Sequence, residues 1–143
     1  MIFYINISVD QYLIFFQLPE GNLLKCRIYD SKSQGLYRDV VHHYLQRVNC
    51  CIIVYDITDL NTFIECENYY KNIIIEKCKK DVKVMLIGNK KDLENKRKVT
   101  KEQGLKFAKE NNYLFRETSC FNLDSIIEEF ETIIMETFKI MKK

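Results

Sequence analysis

Three groups of polar residues stand directly after apolar runs in the sequence. Asp30 and Gln34 follow the run at 23–29, Asn89-Lys90-Lys91-Asp92 follows the run at 82–88, and Glu117-Thr118-Ser119-Cys120 follows the run at 113–116. In an open α/β sheet, ligands bind beyond the carboxyl ends of the strands. If the apolar runs are strands of such a sheet, the spacing predicts that all three groups meet at one of its edges.

The second group has the chemistry to read the edge of a guanine base. A carboxylate such as Asp92 accepts two parallel N–H bonds from a planar donor, as guanine offers at N1 and N2. The amide of Asn89 can pair with an acceptor edge, and the stem of Lys90 can cover a ring face. This combination favours guanine over adenine. A charged loop after a strand is more often simply exposed to solvent and has no ligand. The prediction is strengthened because this group follows a buried strand and because the two other polar groups are expected at the same edge.

The elements that must position these groups alternate between strands and helices. Two apolar runs at 5–18 and 23–29 flank a turn cluster at 19–22, which predicts an antiparallel hairpin. A short helix is predicted at 40–47, and after it the strands and helices alternate, which predicts βαβ crossovers and a mostly parallel sheet in three layers. The predicted strands are 50–55, 82–87 and 113–116, and the helices are 61–79, 100–111 and 123–141.

Two of these helices carry additional signals. Thr100 with Gln103 three residues later predicts a capping box. The last helix shows apolar residues at spacings of three and four, which predicts a core-facing stripe with the charged residues on the rest of its surface. The stripe is Ile126, Ile127, Phe130, Ile133, Ile134 and Phe138, and the charged residues are Glu128, Glu129, Glu131 and Lys139.

Composition bounds the class of protein. The 143 residues predict a single domain, 1–143, and a net charge of +2 gives no reason to expect nucleic acid as a partner. The six cysteines form no Cys-x-x-Cys pair, so we interpret them as reduced core residues. His42-His43 has no cysteine or carboxylate at the spacing that a metal site requires. No signal peptide and no apolar stretch of about 18 residues is present, so we expect a cytoplasmic protein without a membrane anchor of its own. Only 4 residues are glycine.

The chain resembles the small GTPases of the Ras superfamily, and most closely the Rab family, over nearly its whole length. Five segments carry the resemblance, in the family's order and spacing, and Ile7-Ser8-Val9-Asp10 adds a weaker match. The five are Tyr29-Asp30-Ser31-Lys32-Ser33-Gln34, Val54-Tyr55-Asp56-Ile57-Thr58, Thr62-Phe63, the run from Leu86 to Leu93 around Asn89-Lys90-Lys91-Asp92, and Glu117-Thr118-Ser119-Cys120. The resemblance implies a Ras-like fold of the P-loop NTPase class and GTP hydrolysis in vesicle traffic.

The resemblance also implies roles for individual residues. Asn89 and Asp92 would read guanine, Lys90 would lie along the nucleotide, and Thr118, Ser119 and Cys120 would support the base. Asp30 would hold Mg²⁺ through a water, and Gln34 would orient the attacking water of GTP hydrolysis. Of the three positions that contact partner proteins in Rab proteins, Tyr29 and Tyr44 are aromatic here and the third is Gln11. Guanine nucleotide and Rab-type effectors or regulators are therefore the expected partners, with endomembranes as the place where such proteins act.

The sequence also departs from the family pattern. Gly-x-x-x-x-Gly-Lys-Ser/Thr does not occur in these 143 residues, Ser33 and Phe121 stand at two other nucleotide-facing positions, and no cysteine ends the chain for prenylation. Each phosphate contact is worth about 1.5–3 kcal/mol, so we expect weak GTP binding and little hydrolysis. The family's first strand and first helix also have no counterpart, which leaves two expectations: the third and fourth strands pair directly, or the chain is a fragment.

Two hypotheses follow. The first is a partial Rab-like GTPase that retains base recognition. The second is a non-catalytic interaction module that keeps the GTPase fold, and the departures at Ser33, Gly35 and Phe121 favour it.

Overall fold

Apolar runs become the strands of one sheet in a computed structural model that describes residues 2–4, 10–17, 21, 23–31 and 45–142. The predicted α/β fold is confirmed. The described strands lie in the order β2-β3-β1-β4-β5-β6, with β4, β5 and β6 parallel to one another. Their bounds are β1 Ile2–Tyr4, β2 Asp10–Gln17, β3 Leu23–Ser31, β4 Cys50–Asp56, β5 Lys83–Asn89 and β6 Leu114–Glu117.

The predicted hairpin is formed by β2 and β3. The two strands pair antiparallel in continuous register from Asp10 opposite Asp30 to Gln17 opposite Leu23. Gly21 lies in the connection with φ of 85°, a left-handed conformation that glycine adopts without the steric cost of a Cβ. The turn signal in the sequence therefore has a direct backbone cause.

The middle of the sheet contradicts one expectation, the direct pairing of the third and fourth strands. β3 and β4 do not pair directly, because β1 lies between them and pairs antiparallel with each. Phe3 is opposite Asp30 on one side and Ile52 on the other. The sheet therefore contains more antiparallel pairing than the single predicted hairpin. β1 is favoured in this central position because its backbone pairs with groups of β3 and β4 that would otherwise be buried without partners.

The helices follow the predicted segments closely. The segment predicted at 61–79 is three joined pieces, in which a π-helical turn interrupts the α-helix. Of the helix predicted at 40–47, only 45–47 lie among the described residues. The bounds are α1 Leu60–Glu65, the π turn Cys66–Tyr70, α2 Lys71–Lys77, a 3₁₀ helix Lys91–Lys96, α3 Lys101–Glu110 and α4 Leu123–Met141.

The core lies on both faces of β4 and β5, which explains why their sequences are continuously apolar. On one face, Ile53, Tyr55 and Leu86 pack in a cluster that includes Phe63 of α1 and Phe107 of α3. On the other, Ile52 and Met85 pack with α4 through Ile133, which with its neighbour Ile134 is buried as predicted.

Two residues of α4 differ from the predicted stripe. Ile127 is exposed and Glu129 is buried. Arg116 Nε lies 3.1 Å from Glu129 Oε2, so an arginine near the end of β6 offsets part of the cost of burying the carboxylate. Among the described residues, no helix combines the length and apolarity needed to cross a bilayer.

Candidate functional site

The parallel half of the sheet brings two of the three polar groups together. Asp56 at the end of β4 is opposite Asn89 at the end of β5, and Gly88 is opposite Glu117 at the end of β6. Two backbone bonds then join the loops that follow. Thr118 donates its N–H to the Gly88 carbonyl at 2.9 Å, and Lys91 donates to the Thr118 carbonyl at 3.1 Å. The loops after β5 and β6 are therefore held as one unit.

Asn89 is oriented by its own loop. Lys90 has φ of 65°, an uncommon left-handed conformation for a residue with a side chain. This turn lets the Lys90 N–H donate to Asn89 Oδ1 at 2.8 Å. Asn89 Nδ2 lies 3.4 Å from the sulfur of Cys120, which links the amide to the neighbouring loop. An amide group fixed at both atoms in this way is positioned before any ligand arrives.

Asp92 is held by the loop after β6. The hydroxyl of Ser119 donates a hydrogen bond to Asp92 Oδ1, and Ser119 Oγ also accepts the N–H of Phe121 at 3.2 Å. Ser119 is buried and Asp92 is exposed. A buried hydroxyl thus fixes an exposed carboxylate through one oxygen, and Oδ2 of the same carboxylate can accept bonds from a ligand.

Lys90 pairs with a carboxylate that the sequence interpretation did not place in the site. Its Nζ lies 2.5 Å from Asp56 Oδ2, and Thr58 donates to Asp56 Oδ1 from its N–H at 2.8 Å and from its hydroxyl at 2.7 Å. Burial alone would raise the pKa of Asp56, but the bonds from Lys90 and Thr58 outweigh it and lower that pKa. Asp56 directly follows a buried strand, so the rule that singled out Asn89 could also have found it.

A second ion pair braces the loop after β6. The Arg97 guanidinium makes two bonds to Glu117, Nη1 to Oε1 at 2.7 Å and Nη2 to Oε2 at 2.9 Å, and also bonds the exposed Glu94. The side chain of Glu117 is only 4% exposed and that of Arg97 is 14% exposed. The bonds to Glu94 and Glu117 hold the pKa of Arg97 above its usual range. Sequence reasoning missed Arg97, because 20 residues separate it from Glu117 and no local pattern links the two.

The two loops enclose a shallow cavity of about 300 Å³. Lys91, Asp92, Ser119 and Phe121 are among its lining residues. The Phe121 side chain is 89% exposed, so an apolar ring stands in solvent at the rim.

The rest of the loop after β6 is tied to α4. The Thr118 hydroxyl lies 3.0 Å from Ser125 Oγ. Asn122 caps α4 by accepting the Ser125 N–H at 3.1 Å. All six residues predicted to contact the base, Asn89, Lys90, Asp92, Thr118, Ser119 and Cys120, therefore belong to one connected group of loops.

Asp30 does not lie level with this group, so the prediction that all three polar groups meet is wrong for Asp30. It is opposite Phe3, which in turn is opposite Ile52, four residues before Asp56. At about 3.3 Å per residue the offset along the strands is about 13 Å. The inserted β1 sets this register.

The other predicted residues remain untested. Gln34 and Tyr44 lie outside the described residues, and only the backbone of Tyr29 is described, in β3. Mg²⁺ takes about six oxygen ligands, and in the described part of the chain no three His, Cys, Asp or Glu side chains come together. The described residues do not test the roles of Asp30 toward Mg²⁺ and of Gln34 in hydrolysis, so both stay predictions.

Comparisons with known proteins show which family the chain is similar to. The model of the Ras family matches residues 4–139. Human Ras-related protein Rab-17 is 37% identical over 113 residues, which are 79% of this chain and 53% of that protein. The GTP-binding protein ypt3 of Schizosaccharomyces pombe is 35% identical over 122 residues, 85% of this chain and 56% of the relative. Canine Ras-related protein Rab-13 is 36% identical over 114 residues, 80% and 56% respectively. The chain thus spans about half the length of the curated relatives it matches.

Proposed function

The chain belongs to the Ras family of small GTPases and is Rab-like, and from this premise we propose that its 143 residues recognise the guanine base of GDP and GTP. One observation carries the proposal. Asn89 and Asp92 stand side by side on a single loop, each already fixed by a partner in the loop after β6, with Cys120 beside the amide and Ser119 bonded to the carboxylate. No rearrangement of these groups is needed before a base binds.

The proposed selectivity comes from Asp92. Guanine presents two N–H donors, at N1 and N2, to a carboxylate, whereas adenine presents an unprotonated N1 and no amine at C2. Bonds to a charged acceptor are worth about 1.5–3 kcal/mol each, so losing both corresponds to a factor of roughly 10² to 10⁴ in affinity. Adenine would also place the lone pair of its N1 next to the carboxylate. The resulting repulsion increases the difference in affinity between guanine and adenine.

Lys90 and Asn89 complete the proposed contact. The ion pair with Asp56 fixes the Lys90 ammonium group. The aliphatic part of the Lys90 side chain can then pack against the face of the base. The amide of Asn89 can donate its second N–H to an acceptor on the base. The proposed roles are therefore edge recognition by Asn89 and Asp92, coverage by Lys90, and support of these residues by Thr118, Ser119 and Cys120.

Phosphate binding and hydrolysis form a separate part of the proposal. The pattern Gly-x-x-x-x-Gly-Lys-Ser/Thr does not occur in these residues. Backbone N–H groups, a lysine and a metal ion usually share the charge of a triphosphate. We therefore propose that this chain alone binds GDP and GTP weakly, with affinity drawn mainly from the base, and hydrolyses GTP little or not at all. In the complete family, Mg²⁺ accompanies the nucleotide.

Vesicle traffic is the cellular process that the Rab resemblance supports. We propose that the protein acts there, in the cytoplasm or at the surface of endomembranes, through Rab-type effectors or regulators. Tyr29 and Tyr44 are the proposed contact residues for these partners, because they stand at two aromatic positions of the family's partner-binding face.

A second candidate function is a non-catalytic interaction module. The exposed ring of Phe121 at the rim of the candidate site favours it, and so do exposed Leu13, Phe15 and Leu23 on the hairpin. Large apolar side chains in solvent are typical of surfaces that bind other proteins. This candidate predicts that partner binding does not depend on nucleotide.

Titration calorimetry of the chain with GDP, IDP and ADP separates the two candidates. Hypoxanthine lacks the 2-amine, so recognition through Asp92 predicts the affinity order GDP, then IDP, then ADP, with each lost bond costing roughly tenfold or more. The replacement Asp92→Ala should remove the difference. Asp81→Ala is the matched control, an exposed aspartate just before β5, at the opposite end of the strand from the site. Equal binding of all three nucleotides, or binding of none, would reject base recognition and leave the interaction module.

A further inference from the structure

Two thiols face each other at the end of the sheet opposite the candidate site. Cys51 is the second residue of β4 and is 1% exposed, and Cys78 follows the last residue of α2 and is half-buried. Their sulfur atoms are 3.9 Å apart and share a hydrogen bond. The two cysteines are separated by 27 positions in the sequence, so the contact joins a helix end to the core of the sheet.

We propose that Cys51 and Cys78 are a site of reversible oxidation, which a peroxide converts to a disulfide with Cys78 as the thiol that reacts first. The Cys78 sulfur attacks one peroxide oxygen, the O–O bond breaks, and the products are Cys78 sulfenic acid and one water. The Cys51 sulfur then attacks the Cys78 sulfur, the S–O bond breaks, and the hydroxyl leaves as a second water with the Cys51 proton. In total, two thiols lose two electrons and two protons, and one hydrogen peroxide becomes two waters.

Cys78 has the surroundings of a reactive thiol. It is reachable from solvent, and lysines flank it in the sequence, Lys77-Cys78-Lys79-Lys80. Partial exposure lets solvent stabilise the thiolate, which is the nucleophilic form. The thiol hydrogen bond from Cys51 lowers the pKa of Cys78, and the same contact together with burial raises the pKa of Cys51. Cys78 is therefore the attacking thiol of the pair, and Cys51 is the resolving thiol.

The other cysteines lack one of these properties. Cys66 is buried with its thiol donated to the Thr62 carbonyl at 3.2 Å, and burial raises its pKa to about 12. Burial likewise raises the pKa of Cys50 to about 11, and it raises the pKa of the half-buried Cys26. Cys120 is exposed, but its neighbour is the Asn89 amide. Among the described thiols, the combination of access and a sulfur in contact occurs at Cys51 and Cys78.

The fold permits closure of this pair. A disulfide requires the sulfurs to approach from 3.9 Å to about 2.05 Å. Cys78 lies just past a helix end, where the chain can adjust, whereas Cys51 lies within a sheet strand that cannot. Closure ties α1, the π turn and α2 into one loop against β4. A loop of this length raises the melting temperature by roughly 10 °C in the chain-entropy account.

Peptide mapping of the oxidised wild-type chain is the direct test. The reduced protein is treated with a small excess of hydrogen peroxide, remaining thiols are alkylated, and digestion is followed by mass spectrometry without reductant. We expect a peptide pair joined through Cys51 and Cys78, about 2 Da lighter than the reduced pair, and reversal by dithiothreitol. Linkage of Cys78 to any other cysteine, or overoxidation of Cys78 while Cys51 stays a free thiol, would overturn the proposal.

Two variants test the order of the steps. Cys51→Ser should leave Cys78 as a sulfenic acid that dimedone traps, and Cys78→Ser should leave the buried Cys51 thiol unoxidised. Cys50→Ser is the matched control next to Cys51 in β4 and should form the disulfide as the wild type does. The melting temperature of the oxidised wild-type chain is an independent measurement that needs no variant, and an unchanged or lower value would count against closure in the native fold.

Discussion

Replacing Arg97 with methionine should be among the most destabilising single changes near the candidate site. Arg97 makes two bonds to Glu117, and it also donates to the Val99 carbonyl at 2.9 Å. Methionine keeps the apolar stem but leaves the Glu117 carboxylate, 4% exposed, without its cation. Removing one partner of a buried ion pair costs about 3–5 kcal/mol, because the remaining charge is desolvated and uncompensated.

The contribution of Glu94 provides the matched control. Arg97 bonds Glu94 at 2.6 and 2.7 Å, distances as short as those to Glu117, but the Glu94 side chain is 64% exposed. Pairs of this kind contribute about 0–1 kcal/mol, since solvent screens them. Glu94→Gln should therefore change the free energy of unfolding far less than Arg97→Met does. Burial decides the difference, because the bond lengths are alike.

Urea denaturation followed by circular dichroism measures both free energies of unfolding. The double variant Arg97→Met/Glu117→Met should recover much of the loss of the single variant, because it leaves no unpaired charge and replaces the pair with apolar side chains. Similar costs for Arg97→Met and Glu94→Gln, or a double variant less stable than Arg97→Met alone, would refute this reasoning.

Three further predictions concern stability and share a thermal-melt assay. Gly104→Ala should destabilise the protein by about 1–3 kcal/mol, because its Cβ would lie 2.5 Å from the Tyr55 hydroxyl oxygen. Adding Tyr55→Phe should recover part of that loss. A gain in stability on Gly104→Ala would reject the clash. Burial raises the pKa of Glu129 above 4.5, so its protonated form is favoured in the fold and that stability is lost as pH rises through the raised pKa. Glu129→Gln should therefore raise the melting temperature at pH 7 but not below pH 4.5, while exposed Glu128→Gln should change it little at either pH; a gain independent of pH would contradict this. Thr100→Ala should cost about 1 kcal/mol through loss of the capping box, and no change would show that the cap contributes nothing.

Local signals in the sequence were sufficient for much of the fold. The continuous apolar runs became β4, β5 and β6 because both faces of these strands are covered. The capping box at Thr100 and Gln103 formed as the spacing predicts, with bonds of 2.7 and 3.2 Å. The rule that ligands gather beyond parallel strand ends placed Asn89 and Ser119 together, since the register of parallel strands brings their carboxyl ends to one edge.

Features that depend on distant partners were not predictable in this way. The position of β1 between β3 and β4 is set by backbone pairing with two strands far along the chain. Periodicity assigned Glu129 to the solvent side, but Arg116, on a different element, makes its burial tolerable. Arg97 was missed for the same reason, because only the fold brings it to Glu117.

The measurement that tests base recognition most directly is the nucleotide preference of Asp92→Asn. Asparagine at this position offers an N–H donor where the carboxylate accepts, so it should disfavour guanine and favour xanthine, which carries a carbonyl at C2. We predict that calorimetry shows the wild-type chain preferring GDP over XDP by at least tenfold and Asp92→Asn preferring XDP over GDP, with Asp81→Asn behaving as the wild type. A variant that keeps the wild-type preference for GDP would show that Asp92 does not read the base, and the proposed function would be wrong.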